Sequence, residues 1–134
     1  MSKPTPKPAK IHRDDIPWRE RADAPTRVRI KRLITRGRHG SELTLGVSML
    51  EPGDETNRWS SMPDNDAGPG EHWYGPVEET YYCIRGMLTL TWDEGVIEFG
   101  PDDAVYLAPG HHYHLRNNGS ETAVIVYNMY PSQE

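Results

Sequence analysis

The fold is decided by one stretch of the sequence, Gly70-Glu-His72-Trp-Tyr74-Gly-Pro-Val-Glu78-Glu79-Thr-Tyr81-Tyr82-Cys83-Ile84-Arg85-Gly86. Within the eight residues 72–79 it gathers a histidine, a tyrosine and two carboxylates around Gly and Pro, and it then becomes a largely apolar run that ends at Gly. This order is typical of a polar turn that leads into a β-strand. Because side chains alternate between the two faces of a strand, one face should carry Glu79, Tyr81 and Cys83, and the other Thr80, Tyr82 and Ile84.

The residue types in this stretch are those of a chemical site. His72 and Tyr74 share one face, and Glu79 begins the following strand. An imidazole, a carboxylate and a phenol at the mouth of a sheet can bind a divalent metal or transfer protons. The sequence therefore predicts a site at the start of this strand.

The stretch resembles the first characteristic motif of the cupin superfamily. That motif has two His separated by one residue, then Glu, and Gly after six further residues. His72 fits the first His, and the spacing from Glu79 to Gly86 fits the Glu and the Gly. Tyr74 stands where the second His is expected.

A second half of the resemblance follows between residues 102 and 117. The superfamily pattern there has Gly, then Pro-x-Gly, then His, and finally Asn. Pro109-Gly110 and Asn117 match it, whereas Asp102 and Ala108 replace the Gly and the Pro. The resemblance covers roughly residues 28–130, and it implies an all-β double-stranded β-helix, the jelly-roll barrel of small single-domain cupins.

The resemblance also implies a set of site residues. In strict register Tyr113 takes the second-motif His position, with His112 and His114 on either side. One interpretation is a divalent metal ion (Fe, Mn, Zn or Ni) bound by His72, Glu79 and His114, the last re-aimed by a β-bulge. Alternative ligands are His112, Tyr74 and Tyr113. The other interpretation has no metal, because some members have lost it and use His and Tyr for acid–base chemistry. The residues predicted to be catalytic are His72, Tyr74, Glu79, Tyr81 and Tyr113.

Composition favours one small protein domain. A chain of 134 residues suits a single core. Cys83 is the only cysteine, so no intrachain disulfide can form, which favours a reducing compartment. The sequence shows no apolar run of membrane-spanning length and no secretory signal, so we expect a cytoplasmic protein without a membrane partner.

Charge is divided unevenly along the chain. Residues 1–38 hold 12 Lys and Arg against 4 acidic residues, net +8, and residues 39–134 hold 3 against 16, net −13. We interpret residues 1–25 as a flexible, basic, Pro-rich arm and residues 26–134 as the cupin barrel. A body this acidic would repel phosphate backbones, so no nucleic-acid partner is expected. The outward face of the Glu79 strand carries Tyr82 and Ile84, which favours a homodimer.

Two further features of the pattern carry predictions. Short strands separated by turns predict hairpins at Asp93-Glu94-Gly95 and at Asn118-Gly119. Residues 53–71 form a long polar stretch that contains Trp59 and Met62. Because long loops in compact domains are commonly functional, we expect this one to be a lid over the barrel mouth.

The function expected is an enzyme that acts on a small polar metabolite. Acid–base elimination, dehydration or isomerisation, with or without a metal, needs a positioned acid and base and no redox cofactor. One alternative is a non-haem metal dioxygenase, against which the missing second His counts. Another is a ligand-binding or sensory cupin without catalysis.

Overall fold

The structure, a computed structural model, describes residues 5–20 and 28–134. Apart from a 3-10 turn at Arg13–Asp15 and a one-turn helix, α1, at Arg36–His39, the regular structure of these residues is β. The strands are β1 Arg19–Glu20, β2 Arg29–Ile34, β3 Thr44–Leu50, β4 Trp59–Ser60, β5 His72–Trp73, β6 Glu78–Arg85, β7 Leu88–Trp92, β8 Gly95–Phe99, β9 Ala104–Leu107, β10 His112–Arg116 and β11 Ala123–Tyr130.

The strands form two facing sheets. One has the order β1-β2-β3-β11-β6-β9, and the other β5-β4-β10-β7-β8. From β8 to β11 successive strands alternate between the sheets, and β7 and β8 are joined by a two-residue turn within one sheet. This is the predicted jelly-roll barrel, including the hairpin at Asp93-Glu94.

Alternation along the strands places the core between the sheets. In β6 the side chains of Glu79, Tyr81 and Cys83 are buried, and those of Thr80, Tyr82 and Ile84 are exposed, as predicted. Strands β3, β10 and β11 alternate in the same way. The barrel interior is therefore built from every second residue of these strands.

The second predicted hairpin is wrong. Strands β10 and β11 lie in different sheets, so the turn around Asn118-Gly119 carries the chain across the barrel. Asn117 explains the turn. Its buried side-chain amide donates to the carbonyl oxygens of Leu50 (2.8 Å) and Glu121 (2.9 Å), and its Oδ1 accepts from the Gly119 N–H.

The lid predicted over residues 53–71 is wrong where it includes Trp59 and Ser60, which form strand β4. Within this stretch, β4 pairs with β10 on one side and with β5 on the other. Trp59 is only 6% exposed and belongs to the core. A tryptophan held in a sheet by neighbours on both sides is part of the barrel wall.

The described part of the predicted arm, residues 5–20, lies against the barrel. Strand β1 pairs with β2, the Lys31 ammonium donates to the Arg13 carbonyl oxygen (3.0 Å), and it lies 4.5 Å from the centre of the Trp18 ring. Residues 1–4 and 21–25 of the predicted arm lie outside the described residues, so its boundary stays a prediction. Over the described ranges, no helix has the length and apolar character required to cross a bilayer.

Candidate functional site: the barrel cavity

A cavity lies inside the barrel and opens to one side. It encloses about 620 Å³ of empty space, counting its open mouth. Most of its wall is apolar, from Val28, Ile30, Trp59, Leu115, Ile125 and Met129. Five titratable side chains face it as well: Arg32, Tyr74, Glu79, Tyr81 and Tyr127. A mainly apolar pocket with a few convergent polar groups is the usual form of a small-molecule site.

Glu79 is the central polar group of the cavity. Its position in β6 directs it inward, and its side chain is buried. Burial raises the pKa of Glu79 to about 8, although the positive charge of Arg32 acts in the opposite direction. A carboxyl group with this pKa holds its proton at neutral pH and can also release it there.

Two buried phenols beside Glu79 keep their protons. Burial and the neighbouring Glu79 raise the pKa of Tyr81 well above its usual value. Burial raises the pKa of Tyr127 to about 12, against the effect of the Arg32 charge. At neutral pH these tyrosines are therefore neutral hydroxyl groups that can donate or accept hydrogen bonds.

Arg32 and Tyr127 face each other across Gly46. Gly46 pairs with Arg32 of β2 on one side and with Tyr127 of β11 on the other. A Cβ atom at position 46 would lie 2.4 Å from Cζ of Tyr127, so only glycine leaves room for the phenol ring. Burial disfavours the Arg32 charge, but Tyr127 and Tyr74 favour it, and the pKa of Arg32 is raised overall.

Sequence reasoning did not identify Arg32 and Tyr127, although alternation could have found both. Val28, just before β2, and Ile30 within it line the cavity, and Arg32 is the next residue of the same parity. In β11 the buried residues are the odd-numbered ones, which include Tyr127. In both strands the sequence places a polar residue at the next inward position after apolar ones.

The structure brings together three of the residues predicted for the site, namely Tyr74, Glu79 and Tyr81. His72 is not among the described residues that line the cavity. Its ring centre lies 4.3 Å from that of Tyr74, so the imidazole is one ring away from the cavity wall.

Tyr113 points inward but lies behind Trp59. The two ring centres are 5.6 Å apart. Its hydroxyl donates to the carbonyl oxygen of Ala108, and burial raises its pKa to about 12. Tyr113 is not among the described residues that line the cavity.

His112 and His114 lie on the opposite side of β10 from Tyr113. The pairing of β10 with β7 is regular, so the bulge that would have turned His114 inward is not present. The Nε2 atom of His114 is instead 3.1 Å from Oε1 of Glu55. The predicted ligand set of His72, Glu79 and His114 is therefore not assembled.

The donor set of the barrel does not fit the metal that the fold family implies. The cavity presents one carboxyl group among phenols and a guanidinium, which repels a cation. Within residues 5–20 and 28–134 no three His, Cys, Asp or Glu side chains are grouped so as to hold a metal ion. The residues of the cavity wall are therefore suited to proton transfer and hydrogen bonding, not to holding a metal ion.

A separate ionic cluster lies around His112, outside the barrel. Its Nδ1 lies 3.0 Å from Oδ1 of Asp93, and its Nε2 contacts Asp66. Asp66 also accepts from the hydroxyl of Ser60. The hydrogen bond with Asp66 raises the pKa of His112, because a charged imidazole is favoured between two carboxylates.

Comparison with solved structures finds the same fold at low sequence identity. A predicted oxalate decarboxylase from Thermotoga maritima matches with a TM-score of 0.73 and 11% identity, over 92% of this chain and 99% of that one. The polyketide cyclase RemF from Streptomyces resistomycificus matches with a TM-score of 0.73 and 16% identity, over 94% and 81%. A cupin-superfamily sugar phosphate isomerase from Silicibacter pomeroyi matches with a TM-score of 0.66 and 19% identity, over 91% and 75%.

Sequence comparison gives the family. No curated protein matches the sequence of this chain. The family model described as the cupin domain matches residues 58–130, a segment that runs from just before β4 to the end of β11 and contains the Glu79 strand. With its two-sheet jelly roll and this match over more than half of its length, the chain belongs to the cupin family.

Proposed function

We propose that this chain is an acid–base enzyme that transforms a small molecule in the barrel cavity, with Glu79 as the proton-transferring group. The observation that carries the proposal is a buried carboxyl group on an open cavity, with its pKa raised to about 8. General acids and bases work best when their pKa lies near the operating pH. Elimination, dehydration and isomerisation are the reactions that need such a group and no redox cofactor.

The surrounding residues support the same chemistry. At neutral pH Glu79 is mostly protonated, so it can donate a proton to a substrate atom and recover it from another. The hydroxyls of Tyr81 and Tyr127 can hold an oxygen of the substrate. The fixed charge of Arg32 would stabilise negative charge that develops on such an oxygen in an apolar surrounding.

The alternatives have less support. A dioxygenase site of two His and one carboxylate is not assembled by the described residues, since His112 and His114 lie outside the barrel. A purely ligand-binding cupin would make no use of a carboxyl group that titrates near neutral pH. The similar structures are named as a decarboxylase, a cyclase and an isomerase, and so they do not select one reaction.

Deuterium exchange tests the proposal without knowledge of the natural substrate. The protein is incubated in D₂O with a panel of small 1,3-diketones, 2-keto acids and 3-hydroxy acids, and incorporation beside the carbonyl group is followed by NMR. We expect catalysed exchange with at least one member, and its loss in Glu79→Gln. The matched control is Glu78→Gln, since Glu78 is the exposed neighbour on the same strand. Exchange that survives in Glu79→Gln, or that no panel member shows, would count against the proposal.

We further propose that the protein is a homodimer. The outer face of the six-stranded sheet exposes Tyr82, Ile84 and Tyr106 on adjacent strands β6 and β9, each more than 40% exposed. Aromatic and aliphatic side chains grouped on one sheet face favour an interface. A second copy of this chain is the partner expected for that face.

A further inference from the structure

Two polar atoms in the cavity wall are left without a well-formed hydrogen bond. The Nε of Arg32 and the hydroxyl of Tyr127 are buried, and neither makes a hydrogen bond of normal geometry to a described residue. The hydroxyl does lie beside the Arg32 guanidinium, which opposes the rise in the pKa of Tyr127. Most buried polar groups in native proteins are hydrogen-bonded, so each exception calls for an explanation. Here both exceptions belong to neighbouring residues that line one cavity.

The local backbone shows how this arrangement is built. Gly46 lies between Arg32 and Tyr127 in the sheet, and its missing side chain gives the phenol ring its place. Among the described residues, the carboxylate nearest to the Arg32 Nε is that of Glu134, at 3.9 Å, which exceeds hydrogen-bond distance. That same carboxylate is bonded to Arg19 at 2.6 Å. Arg32 therefore keeps a positive charge and an unused donor at the cavity.

The rest of the wall limits what can lie against these donors. Trp59, Leu115, Ile125 and Met129 form an apolar surface around the remainder of the cavity. Glu79 holds its proton at neutral pH, so it does not repel an anion. The single positive charge of Arg32 can balance one negative charge on a ligand. The apolar wall favours a ligand with an apolar body.

We infer that the cavity binds a small monocarboxylate with an apolar body, its carboxylate between Arg32 and Tyr127 and its body against Trp59 and Leu115. This inference names the ligand class for the site of the proposed function and rests on that site being used. It differs from the polar metabolite expected from the sequence, because the wall is apolar. The carboxylate accepts from the Arg32 Nε–H and the Tyr127 O–H, so both unpaired donors gain a partner.

Calorimetric titration with trans-cinnamate and its neutral amide, cinnamamide, tests the inference. The two probes share one shape and differ in charge. We expect cinnamate to bind wild type at least about tenfold more tightly than cinnamamide, about 1.4 kcal/mol. Arg32→Met should abolish this preference, and Tyr127→Phe should weaken cinnamate severalfold. Acetate should bind far more weakly than cinnamate, because it lacks the apolar body.

Two controls keep the result interpretable. Arg85→Met removes an exposed arginine at the end of β6 and should leave cinnamate affinity unchanged. Tyr127→Phe keeps the ring in its place against Gly46 and removes only the hydroxyl, so it should fold, and its thermal melt checks this. This variant therefore tests the donor even if Arg32→Met fails to fold.

The outcomes separate this inference from the proposed function. Equal affinity for cinnamate and cinnamamide, no binding of either, or full cinnamate affinity in folded Tyr127→Phe would overturn the inference. Cinnamate binding that persists in Glu79→Gln supports it whatever the exchange assay gives. If deuterium exchange depends on Glu79 but the protein does not prefer cinnamate over cinnamamide, the proposed function is supported and the proposed ligand class is refuted.

Discussion

Gly46 controls the room that the cavity gives to Tyr127. Without a Cβ it lets the phenol ring lie against the β3 backbone, where any other residue would collide with it. Gly46→Ala should lower the free energy of unfolding by about 1–3 kcal/mol, because overpacking a filled site forces side chains or backbone to move. Urea unfolding measures the change.

The matched control for that substitution is Gly37→Ala. Gly37 lies in helix α1, where an added Cβ meets nothing closer than 3.9 Å. Alanine is the better helix former, so this variant should be neutral or slightly more stable. In a Tyr127→Ala background the cost of Gly46→Ala should disappear. If Gly46→Ala lowers the free energy of unfolding equally in the Tyr127→Ala background, the Tyr127 ring is not the cause of the loss.

Single residues show how far the sequence could predict the site. The inward position of Glu79 and Tyr81 followed from alternation and is confirmed. Asp102, which stands where the cupin pattern has Gly, adopts φ 71°, the left-handed region that Asp tolerates better than most residues. Arg32, two residues beyond Ile30 on the same face, was not among the predicted site residues. The pKa of Arg32 is raised despite its burial because Tyr127 and Tyr74 lie beside it, and spacing along the sequence does not show this.

At the scale of elements, the connection between β4 and β5 is held to the sheet by an ionic bridge. His112 of β10 lies between Asp66 in this connection and Asp93 in the β7–β8 turn. Among the described residues, the other charged or titratable groups beside the bridge are His111, Arg58 and Glu71. The bridge therefore fastens the segment that precedes His72 and Tyr74.

This bridge predicts a pH dependence of stability. The pKa of His112 is raised in the folded protein, so its stabilising contribution is fully present below the unfolded value of about 6.5 and is lost as pH rises through the folded value. The difference in free energy of unfolding between wild type and His112→Gln, measured from pH 5.5 to 8.5, should shrink as pH rises. His12→Gln, at an exposed histidine, is the control. A difference that is constant over this range would show that the charged imidazole does not hold the connection.

Element pairing was harder to predict than element position. The Glu79 strand followed from alternation, and the turn between β7 and β8 followed from its residues Asp93-Glu94. Which strands share a sheet did not follow, because Asn118-Gly119 has the composition of a hairpin turn and yet joins the two sheets. The polar composition of residues 53–71 concealed β4, whose two residues are fixed by long-range pairing with β10 and β5.

At the scale of the whole molecule, assembly is open to a direct test. Light scattering at tens of micromolar should give the mass of a dimer, and Ile84→Glu should give a monomer, because a charge would be buried in the proposed interface. Val96→Glu, on the exposed edge strand β8, is the control and should stay dimeric. A wild-type protein with the mass of a monomer would contradict the proposed homodimer.

Glu79 should also affect the stability of the whole protein. Its folded pKa of about 8 lies above the ordinary value of 4.5, so the protonated form favours folding. This contribution is fully present below pH 4.5 and is lost as pH rises to about 8, by at most about 5 kcal/mol. Glu79→Gln keeps the shape without the charge and should be the more stable protein at pH 8.5. The prediction would be contradicted if the difference in free energy of unfolding between the two proteins stayed constant from pH 4.5 to 8.5.

The most direct test of the central claim is the titration of Glu79 itself. Carboxyl carbons of glutamate-labelled protein are followed by ¹³C NMR from pH 3 to 10, and the Glu79 signal is assigned by its absence in Glu79→Gln. The account predicts one glutamate with a midpoint near 8, and no such signal in the variant. A Glu79 signal that titrates near 4.5 would mean that the carboxyl group is ionised at neutral pH, and would contradict its role as a protonated acid in the cavity.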